Sequence, residues 1–210
     1  MKLLPIITLA GLTLATLPAL ADAVPYPNSG TIAPTSIITA TTTGHVTGYF
    51  VSGPGSDDDQ VRMVDVTAGT TSAFTFDNHA SHPGDTFDFG PVTAGDILVF
   101  ELINFNENDP ATTTPYIFAS DPALSGDGVN HAYVTPFSGD PGNGIPAGTY
   151  VGMEDLPASF SDYNYDDDDF VFTNVNAVTV SPIPEPSSLA LLGTGLVSVV
   201  GMARRRFRRS

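Results

Sequence analysis

His45-Val46-Thr47-Gly48-Tyr49-Phe50-Val51 is the stretch on which the fold turns. Its residues alternate in the period-2 pattern of a strand that gives one face to a core. Shorter versions recur in Ala73-Phe74-Thr75-Phe76 and in Phe87-Asp88-Phe89. Beyond the linker-like segment 22–36, rich in Pro, Ser, Thr and Gly, no stretch of the domain sustains a helical period. Short β-branched and aromatic runs follow one another, separated by Gly, Pro, Asn and Asp. The candidate strands are Ile37–Thr43, His45–Ser52, Val61–Thr67, Ser72–Phe76, Thr86–Phe89, Ile97–Phe105, Tyr116–Ala119, His131–Phe137, Gly148–Glu154 and Phe170–Val180. Many short strands with turn chemistry between them predict an all-β fold, an antiparallel β-sandwich of jelly-roll-like form over residues 37–181. Ile97-Leu98-Val99-Phe100 is the strongest apolar run and is expected to be a central strand.

Charge narrows the function classes. The chain of 210 residues carries a net charge of −16. Of its seven Lys and Arg residues, Lys2 and five arginines after Ala203 lie at the ends. Setting Asp22 and Glu185 aside from the 23 acids leaves 21 between Ala23 and Ser181, against Arg62 alone. So acidic a domain repels nucleic acid and anionic lipid, and its self-repulsion calls for bound cations or a salty setting. There is no cysteine, so disulfides, thiolate metal sites and cysteine nucleophiles are excluded.

The two ends read as addresses. Lys2, the apolar run Leu3 to Leu20 and Ala19-Leu20-Ala21 form a signal peptide over residues 1–21, with a cut after Ala21 or Ala23. It implies the Sec translocon and signal peptidase as partners. At the other end, Pro184-Glu185-Pro186 precedes an apolar segment, 187–203, and then Arg204-Arg205-Arg206-Phe207-Arg208-Arg209. Seventeen residues make a helix of about 26 Å, just under a ~30 Å hydrocarbon core. The arginines place the C-terminus in the cytoplasm and the domain outside.

This order resembles the PEP-CTERM sorting signal of Gram-negative bacteria, a tail also labelled an ice-binding-protein C-terminal domain. The resemblance covers 182–210, with Pro184, Glu185, Pro186, Arg204, Arg205 and Arg206 as the matching positions. It implies recognition by an exosortase, a transient or permanent inner-membrane anchor with the domain in the periplasm, and passage to the cell surface or extracellular matrix. The label gives no reason to expect ice binding by the domain.

Carboxylates crowd the segment Glu154-Asp155 through Ser161-Asp162-Tyr163-Asn164-Tyr165-Asp166-Asp167-Asp168-Asp169. Asp162, Asn164 and Asp166 stand at i, i+2 and i+4, a spacing that opens many Ca2+ loops and brings oxygen ligands to one point. Glu154, Asp155, Asp162, Asn164, Asp166 and Asp169 are therefore candidate Ca2+ ligands, and a solvated acidic turn is the plainer alternative. Gly152 to Leu156, Asp169-Phe170-Val171-Phe172 and Asp127-Gly128-Val129-Asn130-His131 also resemble motifs of the domain of unknown function 4114, over roughly 94–180. That resemblance implies Ca2+ or matrix-glycan binding and no established activity.

Other candidates are weaker. Asp57-Asp58-Asp59 reads as a second acidic turn, solvated rather than liganded, and His79 and His82 as a surface loop. His131 and His45 read as structural. No Gly-x-Ser-x-Gly, His-Glu-x-x-His or phosphate-binding glycine loop is present. Glu101, Glu107 and Glu154 are the only acids singled out for a hydrolytic pair. The chain is thus expected to be a non-enzymatic exported surface or matrix protein with a Ca2+-binding acidic loop. A glycan-binding or adhesive module of an exopolysaccharide matrix is the first alternative, a secreted hydrolase the second.

Overall fold

Strand β2 (Gly44–Ser52) buries Val46, Gly48 and Phe50 on one face, as its alternation predicts. Gly48 is required there: a Cβ would lie 2.4 Å from Phe89 Cε2 and 3.0 Å from Phe172 Cε1, so the two rings close over the bare backbone. The computed structural model describes residues 23–105 and 116–180. The expected signal peptide, Glu107 and the sorting tail lie outside the described residues.

Ten further strands join β2: β1 (Ser36–Ala40), β3 (Asp59–Asp65), β4 (Thr70–Thr71), β5 (Thr86–Val92), β6 (Ile97–Asn104), β7 (Tyr116–Ala119), β8 (Ala132–Phe137), β9 (Gly148–Met153), β10 (Asp168–Thr173) and β11 (Val175–Thr179). They form two sheets with every pairing antiparallel, and no helix occurs among the described residues. The first runs β11-β1-β6-β3-β4, with β7 added beside β6; the second runs β5-β2-β10-β9-β8. The expected central strand is central: β6 pairs with β3 from Leu98 to Asn104 and with β1 and β7 along its other edge.

The sheets share one core. Ile38, Val61, Met63, Leu98, Phe100, Leu102 and Phe118 from the first meet Val46, Phe50, Phe89, Val151, Met153, Phe170 and Phe172 from the second. The outer face of the second sheet is covered too: Val51, Tyr150 and Val171 pack with Ile145 from the β8–β9 loop. This explains why Phe170-Val171-Phe172 is buried on both sides rather than alternately.

Two strand expectations need correction. Phe170–Val180 is not one strand: Asn174, at φ 62°, breaks it, and β10 and β11 belong to different sheets. Ser72–Phe76 makes only a single bridge, Thr75 to Val61, because Phe76 turns into left-handed backbone at φ 58°. The N-terminal segment is drawn in by Tyr165, whose hydroxyl accepts the Ala33 N–H at 2.7 Å and whose ring meets Tyr26 edge-on.

Candidate functional site

Strand register gathers acid at one end of the fold. Asp59 opens β3 opposite Asn104 at the end of β6; Asp168 opens β10 opposite Met153 at the end of β9; Asp169 pairs with Ser52 at the end of β2. The β2–β3 crossover, Gly53 to Asp58, and the β9–β10 loop, Glu154 to Asp167, therefore meet at this end.

Asp59 and Asp168 are 1% and 0% exposed. No hydrogen-bond donor reaches either oxygen of either carboxylate. What faces Asp59 is acid: Asp155 lies within hydrogen-bonding reach, with Asp57 and Asp167 close by. Asp155 in turn meets Asp167. The shell around them is polar and ordered. Asn104 Nδ2 donates to Asp57 Oδ2 and to the Asp155 carbonyl, each at 2.7 Å. Asn78 accepts the Asp59 N–H at 3.0 Å and donates to the Asp57 carbonyl at 2.8 Å. The Asp155 N–H donates to Asp167 Oδ2 at 3.2 Å. Two glycines make room: a Cβ on Gly53 would sit 3.0 Å from Asp168 Oδ1, and one on Gly55 3.0 Å from Asp155 Oδ2.

Burial first, then the mutual repulsion of these acids, pushes Asp59 and Asp167 up to about 8 and Asp155 up to about 7. Asp168 is raised well above the carboxylate range for the same reasons. The local cations do not relieve this. Arg62 is engaged by Glu101 at 2.6 Å and lies over the Phe74 ring. His79, at the rim, binds Asp58 at 2.7 Å and the Gly55 carbonyl at 3.2 Å, and the Asp58 bond raises its pKa.

The six candidate ligands fall into three groups. Asp155 joins the buried acids. Glu154 accepts from the Ser161 hydroxyl and from the Tyr165 N–H at 2.6 Å; Asp169 accepts from Ser52 and Tyr150, each at 2.5 Å. Asp162, Asn164 and Asp166 form a local ladder: Asp162 takes the Asn164 N–H at 3.2 Å and its amide at 3.1 Å, and Asn164 takes the Asp166 N–H at 3.1 Å. Among the described residues no group of three or more His, Asp or Glu side chains is arranged so that it could hold a metal ion. Asp59 corrects the reading of Asp57-Asp58-Asp59 as a solvated turn. The signal was its phase: Asp59, Val61, Met63 and Asp65 alternate, and all four are buried.

His131 is fully buried, its Nε2 3.0 Å from Asp127, as a structural role predicts. An open cleft of about 540 Å3 lies at the opposite end of the sheets, bordered by Thr43, Asp65, Phe89 and Asp96. Asp65 and Asp96 there cap the Ala68 and Thr93 N–H groups.

With this geometry in place, comparison with known proteins speaks to the tail alone. Residues 182–209 match the PEP-CTERM protein-sorting motif. The chain carries an exosortase sorting signal. That signal implies export and a membrane-anchored passage before processing, with exosortase as the processing partner. The match gives no support to the resemblance of the core to the domain of unknown function 4114, nor to the ice-binding label. No curated protein and no solved structure matches the chain. No helix among the described residues is long and apolar enough to cross a membrane.

Proposed function

We propose that this chain is a non-catalytic protein of the bacterial cell surface or extracellular matrix, released there by exosortase processing, whose acidic end takes Ca2+. The match at 182–209 carries the delivery half of this reading. Replacing Pro184, Glu185 and Pro186 together with alanine, in a host that contains an exosortase, is expected to leave the unprocessed chain in the membrane fraction. Wild-type processing by that variant would refute it. The cation half is supported by a domain with one Arg, no Lys and 21 acids, several of them buried side by side.

A glycan-binding role is the second reading, favoured by Phe160. It is 75% exposed in the β9–β10 loop, where an aromatic face is free to stack on a sugar ring. Pull-down on the matrix polysaccharide, with and without EDTA, separates an adhesive module from a passive one.

A further inference from the structure

We propose that Asp59 and Asp168, with Asp155 beside them, hold one Ca2+ that clasps the two sheets together at this end of the fold. The proposal rests on the reading above that the acidic end takes Ca2+, and moves the site from the Asp162-Asn164-Asp166 ladder to the buried acids.

The carrying observation is four carboxylate oxygens, those of Asp59 and Asp168, buried with no donor. Elsewhere among the described residues every buried acid has a donor on at least one oxygen, Asp65 taking the Ala68 N–H on Oδ1 and leaving Oδ2 bare. Asp169 has two hydroxyls, Glu154 a hydroxyl and an N–H, and Glu101 a guanidinium. A buried carboxylate without donors costs several kcal/mol, about as much as any single defect in a fold. Two such groups side by side point to a missing counter-charge, and one divalent cation neutralises the pair.

The donor chemistry selects Ca2+. The cluster offers only oxygen, with no Cys in the chain and its one neighbouring imidazole, His79, already bound to Asp58 and the Gly55 carbonyl. Hard cations with six to eight oxygen ligands suit such a site, and a shell completed by Asp155 and water tolerates the irregular geometry better for Ca2+ than for octahedral Mg2+. The ladder makes a poorer site, since Asp162 and Asn164 already spend their oxygens on its own N–H groups.

The position gives the ion a structural consequence. Asp59 belongs to β3 of the first sheet and Asp168 to β10 of the second. An ion between them ties the β2–β3 crossover to the β9–β10 loop, across a seam otherwise joined by the Gly55 N–H donating to the Asp167 carbonyl at 3.3 Å and by Asn104. An extracellular-type site of this kind fills at about 0.1–1 mM Ca2+. The clasp therefore closes outside the cell, after export, and stays open in the cytoplasm.

The test uses the full-length chain, purified in detergent and stripped with EDTA, titrated calorimetrically with CaCl2 and melted by near-ultraviolet circular dichroism. Wild type is expected to bind one Ca2+ at this end and to melt higher with it, while Mg2+ binds at least about tenfold more weakly. Asp59→Asn with Asp168→Asn should abolish that binding and its thermal shift. The same double variant should melt higher than wild type in EDTA at neutral pH, because an amide does not have to take up a proton to be buried there. Asp162→Asn with Asp166→Asn should bind as wild type does. Retained affinity in the Asp59/Asp168 variant overturns this site while leaving Ca2+ binding by the acidic end intact. No heat from wild type up to about 10 mM Ca2+ overturns both. A buried-acid variant less stable than wild type in EDTA also overturns the site, since the two carboxyls would then be stabilising in the absence of the ion.

Discussion

The ring of Phe172 lies on the ring of Phe100 across the middle of the core, centroids 3.7 Å apart and planes 18° from parallel. One residue belongs to β10 in the second sheet and the other to β6 in the first, so this stack is a direct bond between the layers. Phe89 meets both edge-on, at 5.3 and 6.3 Å. Phe172→Ala removes the shared ring and leaves a cavity that rigid strands cannot close. The expected loss is about 3–5 kcal/mol in urea unfolding. A loss under ~1 kcal/mol would show that the sheets do not depend on this contact.

Asn174 is the hinge at which the chain leaves one sheet for the other. It sits at φ 62°; its Oδ1 accepts from Thr41 Oγ1 at 2.8 Å, from Thr42 N–H at 2.9 Å and from Thr42 Oγ1 at 2.7 Å. Its Nδ2 donates to the Thr42 carbonyl at 3.0 Å. Asn174→Gly keeps the backbone and loses the side-chain bonds, at a cost of about 1–2 kcal/mol. Asn174→Val adds left-handed strain in a β-branched residue and should cost about 1 kcal/mol more. The order of the two variants in chemical denaturation is the check; valine equal to glycine would remove strain from the account.

How much of this was legible follows from which signals are local. Residue pattern is local: alternation located β2, a short β-branched and aromatic run located the Tyr116–Ala119 strand, and an unbroken apolar run located Ile97–Phe100 at the centre. Had the same alternation been carried back two residues from Val61, it would have placed Asp59 inside. The break at Asn174 was less visible, since Phe170 to Val180 is β-branched and aromatic apart from Asn174, Asn176 and Ala177. Pairings between distant segments were not legible at all. Tyr165 reaches Ala33 across 132 positions, and nothing in either neighbourhood announces it. For the site, composition showed a shortage of cations and spacing pointed to Asp162, Asn164 and Asp166. The acids left without donors, however, are chosen by strand register, which composition does not contain.

Gly53 tests the cradle around Asp168. A methyl group there would stand 2.8 Å from Asn78 Cβ, 3.0 Å from Asp168 Oδ1 and 3.1 Å from Phe50 Cζ. None of these three can withdraw freely, as Asn78 is tied to Asp57 and Asp59 and Phe50 is in the core. Gly53→Ala should therefore destabilise the domain by about 1–3 kcal/mol and weaken Ca2+ binding with it. Thermal melts with and without the ion measure both effects, and an alanine variant as stable as wild type would mean that the crossover is loose.

The buried acids also set an unusual pH dependence for the ion-free protein. Asp59, Asp155 and Asp167 have pKa values raised from 3.8 to about 8, 7 and 8, and Asp168 is raised well above its ordinary value, by burial and by one another. Asp57, Asp58 and Glu154 face them from the crossover and the β9–β10 loop, adding negative charge, and His79 offers a cation only at the rim. The folded state consequently binds more protons than the unfolded chain between about pH 4 and pH 8, and stability must fall as pH rises through that window. Acids held below their usual range by partners do the reverse. In EDTA the melting temperature is expected to drop by about 5–10 °C from roughly pH 5 to pH 8.5. Saturating Ca2+ should flatten or invert the profile, because the ion replaces the protons and its binding tightens as they leave. An EDTA profile that is level or rises over this range would mean that the buried carboxylates are already neutralised by something other than protons, and the clasp would lose its reason.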